Sequence, residues 1–192
     1  MQAIKRIIVV GQGASGKDYF VESLTKQGYK FPISYTTRPP RKNEIDGVNY
    51  RFVSEEDFKS LIENDSLYEY VEYPNRGKFS NETWYYGRIK EDFYDGDVMI
   101  MTPAGIYQLS NEDRDSSYII YLNIPEDIRR KRMNKRVDAD DTERRLKTDK
   151  EDFENFNEYD YVCKNPEFIP SNIQMMLEKG LGFFPKKRNK IA

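Results

Sequence analysis

With 192 residues, 33% of them charged and a net charge of −2, the chain has the size of one soluble domain with room for a small lobe. It has neither the basic surplus of a nucleic-acid binder nor an apolar run near the roughly 20 residues that span a bilayer. No histidine and one cysteine, Cys163, exclude imidazole catalysis, histidine-ligated zinc and an internal disulfide, and suit a reducing cytoplasm. The chemistry that remains must use arginine, lysine and carboxylates.

Four consecutive β-branched residues, Ile7-Ile8-Val9-Val10, read as a strand buried on both faces, as in a parallel sheet, and not as a signal peptide. Gly11-Gln12-Gly13-Ala14-Ser15-Gly16-Lys17-Asp18 follows, and Tyr19 to Leu24 then has the apolar spacing of a helix. Gly11, Gly16 and Lys17 fit G-x-x-x-x-G-K, a loop whose backbone N–H groups surround phosphate oxygens. Glycines let the chain curl around an anion, the helix N-terminus adds partial positive charge, and the lysine reaches the outer phosphates. Gly11, Gly13, Ala14, Ser15, Gly16, Lys17 and Asp18 are therefore the candidate ATP-binding residues. The alternative is a strand-to-helix turn that only happens to hold glycines. Asp18 stands where this motif places a hydroxyl on Mg²⁺. It reads either as a direct carboxylate ligand of the ion or as an acidic residue favoured by the helix dipole.

Further along, Phe31 to Tyr35 suits a short strand, and two prolines stiffen the loop Ser34-Tyr35-Thr36-Thr37-Arg38-Pro39-Pro40-Arg41. Arg38 and Arg41 on such a loop suit a second anionic substrate, or else a solvated surface. Asp46-Gly47 signals a turn, and Val48, Tyr50 and Phe52 alternate with polar residues as a strand does. Ser54 caps a helix running to about Asn64. Asp97 to Met101 and Ser117 to Leu122 read as further buried strands. After Ile124-Pro125 comes a helix of alternating charge with Arg129, Arg130, Arg132 and Arg136, then Arg144 and Arg145; such runs are ordinarily solvated faces. Ile169 to Lys179 suits a last helix, and Pro185 to Lys190 a solvated basic tail. Strands alternating with helices behind a phosphate loop give a doubly wound α/β parallel sheet of the P-loop NTPase type.

Gly11 to Lys17, followed by Ser34 to Arg41 and Glu44 to Val53, resembles the guanylate kinase family. That family carries S-x-T-T-R-x-P-R and then G-E-x-D-G-x-x-Y-x-F-V, and the likeness extends from about Ile4 to Lys179. The resemblance implies a single domain with a core at about 1–30 and 89–185, an acceptor lobe at about 31–88 and a lid at about 132–146. It implies that Ser34, Arg38, Arg41, Tyr50 and Tyr86 hold the acceptor phosphate, and that Glu69 of Leu67-Tyr68-Glu69-Tyr70 reads the guanine edge. Asn165 of Tyr159-Asp160-Tyr161-Val162-Cys163-Lys164-Asn165 would lie near the donor adenine. Lys17, Arg132, Arg136 and Arg145 would stabilise charge during transfer, the last three closing as a lid around Asp138 to Thr142. Three positions depart. Arg88 replaces a hydroxyl residue of the acceptor pocket, and Ile100 and Thr102 replace two aspartates, with Gly105 kept. The resemblance implies ATP with Mg²⁺ as co-substrate and GMP or dGMP as acceptor, in a cytoplasmic monomer or homodimer without nucleic-acid or membrane partners. Two other readings remain: a pocket re-tuned for another or a modified nucleotide, and a catalytically silent binding domain.

Overall fold

Ile7, Ile8, Val9 and Val10 are all fully enclosed in a computed structural model that describes residues 3–74, 83–135 and 142–183. They belong to a wholly parallel sheet in the order β6 (Val98–Ile100), β1 (Arg6–Val10), β7 (Ser117–Leu122), β8 (Tyr161–Cys163). Side chains alternate across a strand. Ile7 and Val9 accordingly pack with Phe20, Leu24, Ile173 and Leu177, whereas Ile8 and Val10 pack with Phe93, Met99, Tyr121 and Phe156. Helices α1 (Lys17–Thr25) and α8 (Pro170–Leu181) supply the first cover. The second comes from α3 (Lys90–Asp95), α4 (Pro103–Ile106) and the segment after α7 (Thr142–Phe153). Burying each large aliphatic or aromatic side chain contributes roughly 1.5–3 kcal/mol, so a strand covered on both sides has no place for a polar residue. The doubly wound α/β sheet expected from the sequence is present.

A second sheet has the order β3 (Arg51–Phe52), β2 (Tyr35–Thr36), β5 (Thr83–Ile89), β4 (Leu67–Pro74). The pair β4–β5 is antiparallel and the pair β2–β3 parallel. Between β3 and β4 lies α2 (Glu55–Glu63), whose first turn is capped by the Ser54 hydroxyl accepting from Asp57 N at 3.0 Å. Helices α5 (Asn111–Asp115) and α6 (Glu126–Asn134) complete the described elements.

Two local expectations change. The alternation from Val48 to Phe52 gives a strand only at Arg51–Phe52, and Val48 is exposed. Its partner β2 is two residues long, so pairing begins at Tyr35↔Arg51. Before that point the chain turns at Gly47, with φ of 73°, and Gly47 N donates to Tyr50 O at 2.8 Å. The long ribbon of β4 and β5 was not assigned from the sequence. The available signal was its aromatic content: Tyr68, Tyr70 and Tyr73 on one strand, Trp84, Tyr85 and Tyr86 on the other.

At the N-terminal end of β1 the buried Arg6 is paired with Asp113 of α5 at 2.9 Å. The Tyr68 hydroxyl donates to the same carboxylate at 2.6 Å and the Ser110 hydroxyl at 2.8 Å. Burial by itself would raise the Asp113 pKa, but Tyr68, Ser110 and Arg6 together hold it below the usual carboxylate range. Removing one partner of a buried pair leaves the other charge uncompensated. Asp113→Ala should therefore lower unfolding free energy by about 3–5 kcal/mol, read from urea titrations.

Candidate active site

The loop between β1 and α1 is tight. A Cβ at Gly11 would stand 2.7 Å from the Ser15 hydroxyl oxygen and 2.8 Å from the Leu122 carbonyl oxygen. Gly16 caps α1 with φ of 99°, a left-handed conformation that glycine adopts freely. Lys17 Nζ lies back across the loop and donates to the carbonyls of Gly11 at 2.5 Å and Gln12 at 3.0 Å. Backbone N–H groups, a helix N-terminus and an ammonium thus converge on one turn, the arrangement that holds polyphosphates.

Two arginines of the charged helices converge on this loop. Arg132 of α6 donates to Ala14 O at 3.1 Å and to Pro166 O at 2.6 Å, linking the loop to the segment that follows β8. Arg145 of α7 has its Nη2 within 3.5 Å of where a Cβ on Gly13 would lie. Arg136 and residues 138–141 lie outside the described residues. A cavity of about 510 Å³ opens beside the loop, lined among others by Gly16, Lys17, Asp18, Arg132 and Phe168. Asn165 accepts from Glu167 N at 2.9 Å through its side-chain oxygen, so it shapes the turn that brings Phe168 to this cavity.

The sequence reading missed Asp149 and Arg129. Gly13 N donates to both Asp149 carboxylate oxygens, at 2.9 and 3.1 Å, and Arg129 pairs with Asp149 at 2.8 Å. Asp149 follows Arg145 by four residues and shares its helix face. That spacing was the only available signal. Arg129, expected on a solvated face, is buried.

Asp18 is exposed on the first turn of α1 and borders the cavity. No group of three or more histidine, cysteine or acidic residues able to hold a metal exists among the described residues. Magnesium takes one or two carboxylates and completes its shell with phosphate oxygens and water, and both Asp18 and Glu167 line this cavity.

On the second sheet, Arg38 is buried and its guanidinium grips Glu44 at 2.9 Å. Burial opposes the Arg38 charge, but Glu44 more than offsets this and its pKa is raised. Glu44 Oε2 also accepts from Arg41 N at 2.8 Å, so one carboxylate fixes both arginines of the loop. Tyr50 and Tyr86 meet edge to face at 6.0 Å, and Tyr86 meets Tyr73 likewise at 5.7 Å. The Tyr50 pKa is pushed up to about 12, first by burial, then by Tyr86 and by the negative charge of Asp18. The tyrosine pair therefore lies within electrostatic reach of the phosphate loop. The Tyr73 hydroxyl donates to Asp152 of α7 at 3.2 Å, which brings β4 against the same helix as Arg145.

Glu69 is buried, and a Cβ on Gly105 would crowd its Oε2 at 3.0 Å. Burial pushes its pKa up to about 7 against the opposing pull of Arg88. Three expected acceptor residues are turned toward their own protein. Thr102 caps α4, its hydroxyl oxygen accepting from Gly105 N at 3.1 Å. Ser34 accepts from Arg88 Nη2 at 2.9 Å. Arg88 itself is completely enclosed, so it reaches the pocket only through its neighbours.

The guanylate kinase family model matches residues 3–179. The chain belongs to the guanylate kinase family. It is 30% identical over 171 residues to the guanylate kinase of Halalkalibacterium halodurans, an alignment covering 84% of this chain and 80% of that one. Against the guanylate kinase of Desulfitobacterium hafniense the identity is 29% over 171 residues, covering 84% and 82%. The fold resembles the crystal structure of guanylate kinase from Anaplasma phagocytophilum, with a TM-score of 0.67 at 21% identity, covering 94% of this chain and 88% of that one.

Gly16 cannot gain a side chain without strain, because its φ is left-handed and a Cβ would meet the Phe168 ring at 3.3 Å. Gly16→Ala should lower stability by about 1–3 kcal/mol, measured by guanidinium unfolding.

Proposed function

We propose that this guanylate kinase-family phosphotransferase moves the γ-phosphate of ATP to GMP or dGMP, with ATP at the phosphate loop and the monophosphate on the second sheet. One observation carries the acceptor assignment. Glu69 is a nearly enclosed carboxylate at the meeting of β4 and α4, within reach of the Arg88 charge and with no cation bonded to it among the described residues. Guanine presents two adjacent N–H donors that a two-oxygen acceptor meets, and adenine does not.

In this reading the loop N–H groups and Lys17 hold the donor phosphates. Arg132 and Arg145 place fixed positive charge where negative charge spreads as the phosphoryl group departs. Arg136, outside the described residues, would join them on a lid at about 132–146. The lobe at about 31–88 takes the acceptor. Arg38 and Arg41, held by Glu44, face its phosphate with Ser34, Tyr50 and Tyr86, while Thr102 and Arg88 shape the base pocket. Asn165 borders the adenine side. No strong base is needed, because the acceptor phosphate oxygens are nucleophilic at neutral pH. Asp18 would hold magnesium together with the ATP phosphates, and the ion would supply neutralisation of the phosphate charge. No helix of the described residues is long and apolar enough to cross a membrane.

Lys17→Ala should lower kcat by about two to three orders of magnitude while circular dichroism shows an intact fold. Near-normal turnover in a folded variant would contradict the donor assignment. For the acceptor, kcat/KM measured for GMP, dGMP, AMP and dTMP should favour guanine. Glu69→Gln should narrow that preference by about tenfold or more, the worth of one hydrogen bond to a charged group. A wild type that prefers another base would point to the re-tuned pocket, and one inert toward every monophosphate to a binding domain.

A further inference from the structure

Arg88 is the largest side chain to be completely enclosed, and its donors are directed into the protein. Nη1 donates to Pro32 O at 2.7 Å, ahead of β2. Nη2 donates to the Ser34 hydroxyl at 2.9 Å and to Ile100 O at 3.3 Å, the last residue of β6. One guanidinium thus joins the second sheet, the segment that leads into it and the edge of the parallel sheet. The fifth donor, Nε, is buried without a hydrogen-bond partner. In the β4–β5 ladder Arg88 stands opposite Glu69, immediately after the irregularity between Leu67 and Glu69.

An arginine in this position is not a conservative stand-in for a hydroxyl residue. A guanidinium cannot lose its proton in a protein, so enclosing it costs free energy that hydrogen bonds alone do not return. Carbonyl oxygens offset part of that cost and an adjacent anion offsets more. Glu69 has the complementary difficulty. It is a carboxylate enclosed by β5 and by Gly105 of α4, and such a group tends to protonate and turn one oxygen from acceptor into donor.

We propose that Arg88 is a positioning residue for base selection: anchored by Pro32, Ser34 and Ile100, it holds a permanent positive charge beside Glu69 that favours the anionic carboxylate, the form that accepts both N–H donors of guanine. This rests on the assignment of Glu69 to the guanine edge. The same fork holds Ser34, one of the residues assigned to the acceptor phosphate, so base and phosphate ends of the pocket share one support.

The charged surroundings are few. Arg88 acts on Glu69 from β5, while Asp92 on α3 and Tyr50 ahead of β3 act on Arg88. Neither Pro103–Ile106 of α4 nor Val98–Ile100 of β6 brings an ionisable side chain. With burial raising its pKa and Arg88 lowering it, Glu69 titrates at about 7. As pH falls through that value the carboxylate gains a proton and kcat/KM for GMP falls. Without the Arg88 charge, the same loss begins at a higher pH.

The test is the pH dependence of kcat/KM for GMP, at saturating ATP, in wild type, Arg88→Met, Arg88→Lys and Glu69→Gln. The second ionisation of the nucleotide phosphates, near pH 6, is common to all four and cancels in the comparison. Arg88→Met should move the acidic limb upward by about one pH unit or more. Arg88→Lys keeps the charge and should leave the limb within about 0.3 unit of wild type, even as its melting temperature falls. In Glu69→Gln the limb assigned to Glu69 should vanish. A purely structural Arg88 would raise KM at every pH and leave the limb in place, and that result in Arg88→Met overturns the inference. Should Arg88→Met not fold, Arg88→Lys decides: a limb displaced by a full unit with the charge retained overturns it. A wild type that converts no GMP at any pH overturns the acceptor assignment, and this inference with it. Normal turnover with an unmoved limb in Arg88→Met overturns the inference alone.

Discussion

The turn from β1 into α1 constrains the geometry of everything around it. Because β1 is covered on both faces, its last residue is fixed within the sheet, and the chain must reverse there into a helix. The reversal works only if Ser15 and Leu122 come within 3 Å of where a Gly11 side chain would be, and if Gly16 is left-handed. The loop is held in that shape by the protein itself. Arg132 and Asp149 then bind the loop by its own backbone, at Ala14 O and Gly13 N, so the charged helices α6 and α7 take their position from it.

The charge arrangement around this turn is one of matched pairs. Arg129 is buried against Asp149, Arg38 against Glu44 and Arg6 against Asp113. Each pair satisfies an enclosed guanidinium with a carboxylate and extra hydrogen bonds, the condition under which burying charge is tolerable. The first two each fix an element that carries a further arginine: α7 with Arg145, and the loop with Arg41. Arg88 departs from this pattern. Carbonyl and hydroxyl oxygens take its N–H groups, while a carboxylate, Glu69, stands opposite it in the ladder.

Belonging to the guanylate kinase family places these departures in context. Identity of about 30% extends over most of the chain. Asp18, Arg88 and Thr102 change the electrostatics without changing the backbone plan. Asp18 adds an anion within reach of Tyr50, Thr102 puts its hydroxyl into a helix cap, and Arg88 brings an enclosed cation opposite Glu69.

Local rules in the sequence determined the parallel sheet and the phosphate loop. A β-branched run, a glycine-lysine spacing and an apolar helix repeat are each set by neighbours within a few residues. The same locality made Ser54 legible as a cap and Arg38 and Arg41 legible as a pair on a stiff loop. The ribbon of β4 and β5 was not legible, because its pairing joins residues across a long polar stretch. Nor did Val48 to Phe52 form the strand its alternation suggested, since a strand extends only as far as its partner, and β2 has two residues. Asp149 looked like one acid among many until α7 packed it against Gly13 N. Arg88 looked like a substrate-facing replacement until three oxygens from distant segments closed around it. Burial and long-range pairing decide whether a charge faces solvent, substrate or another side chain, and both belong to the folded chain as a whole.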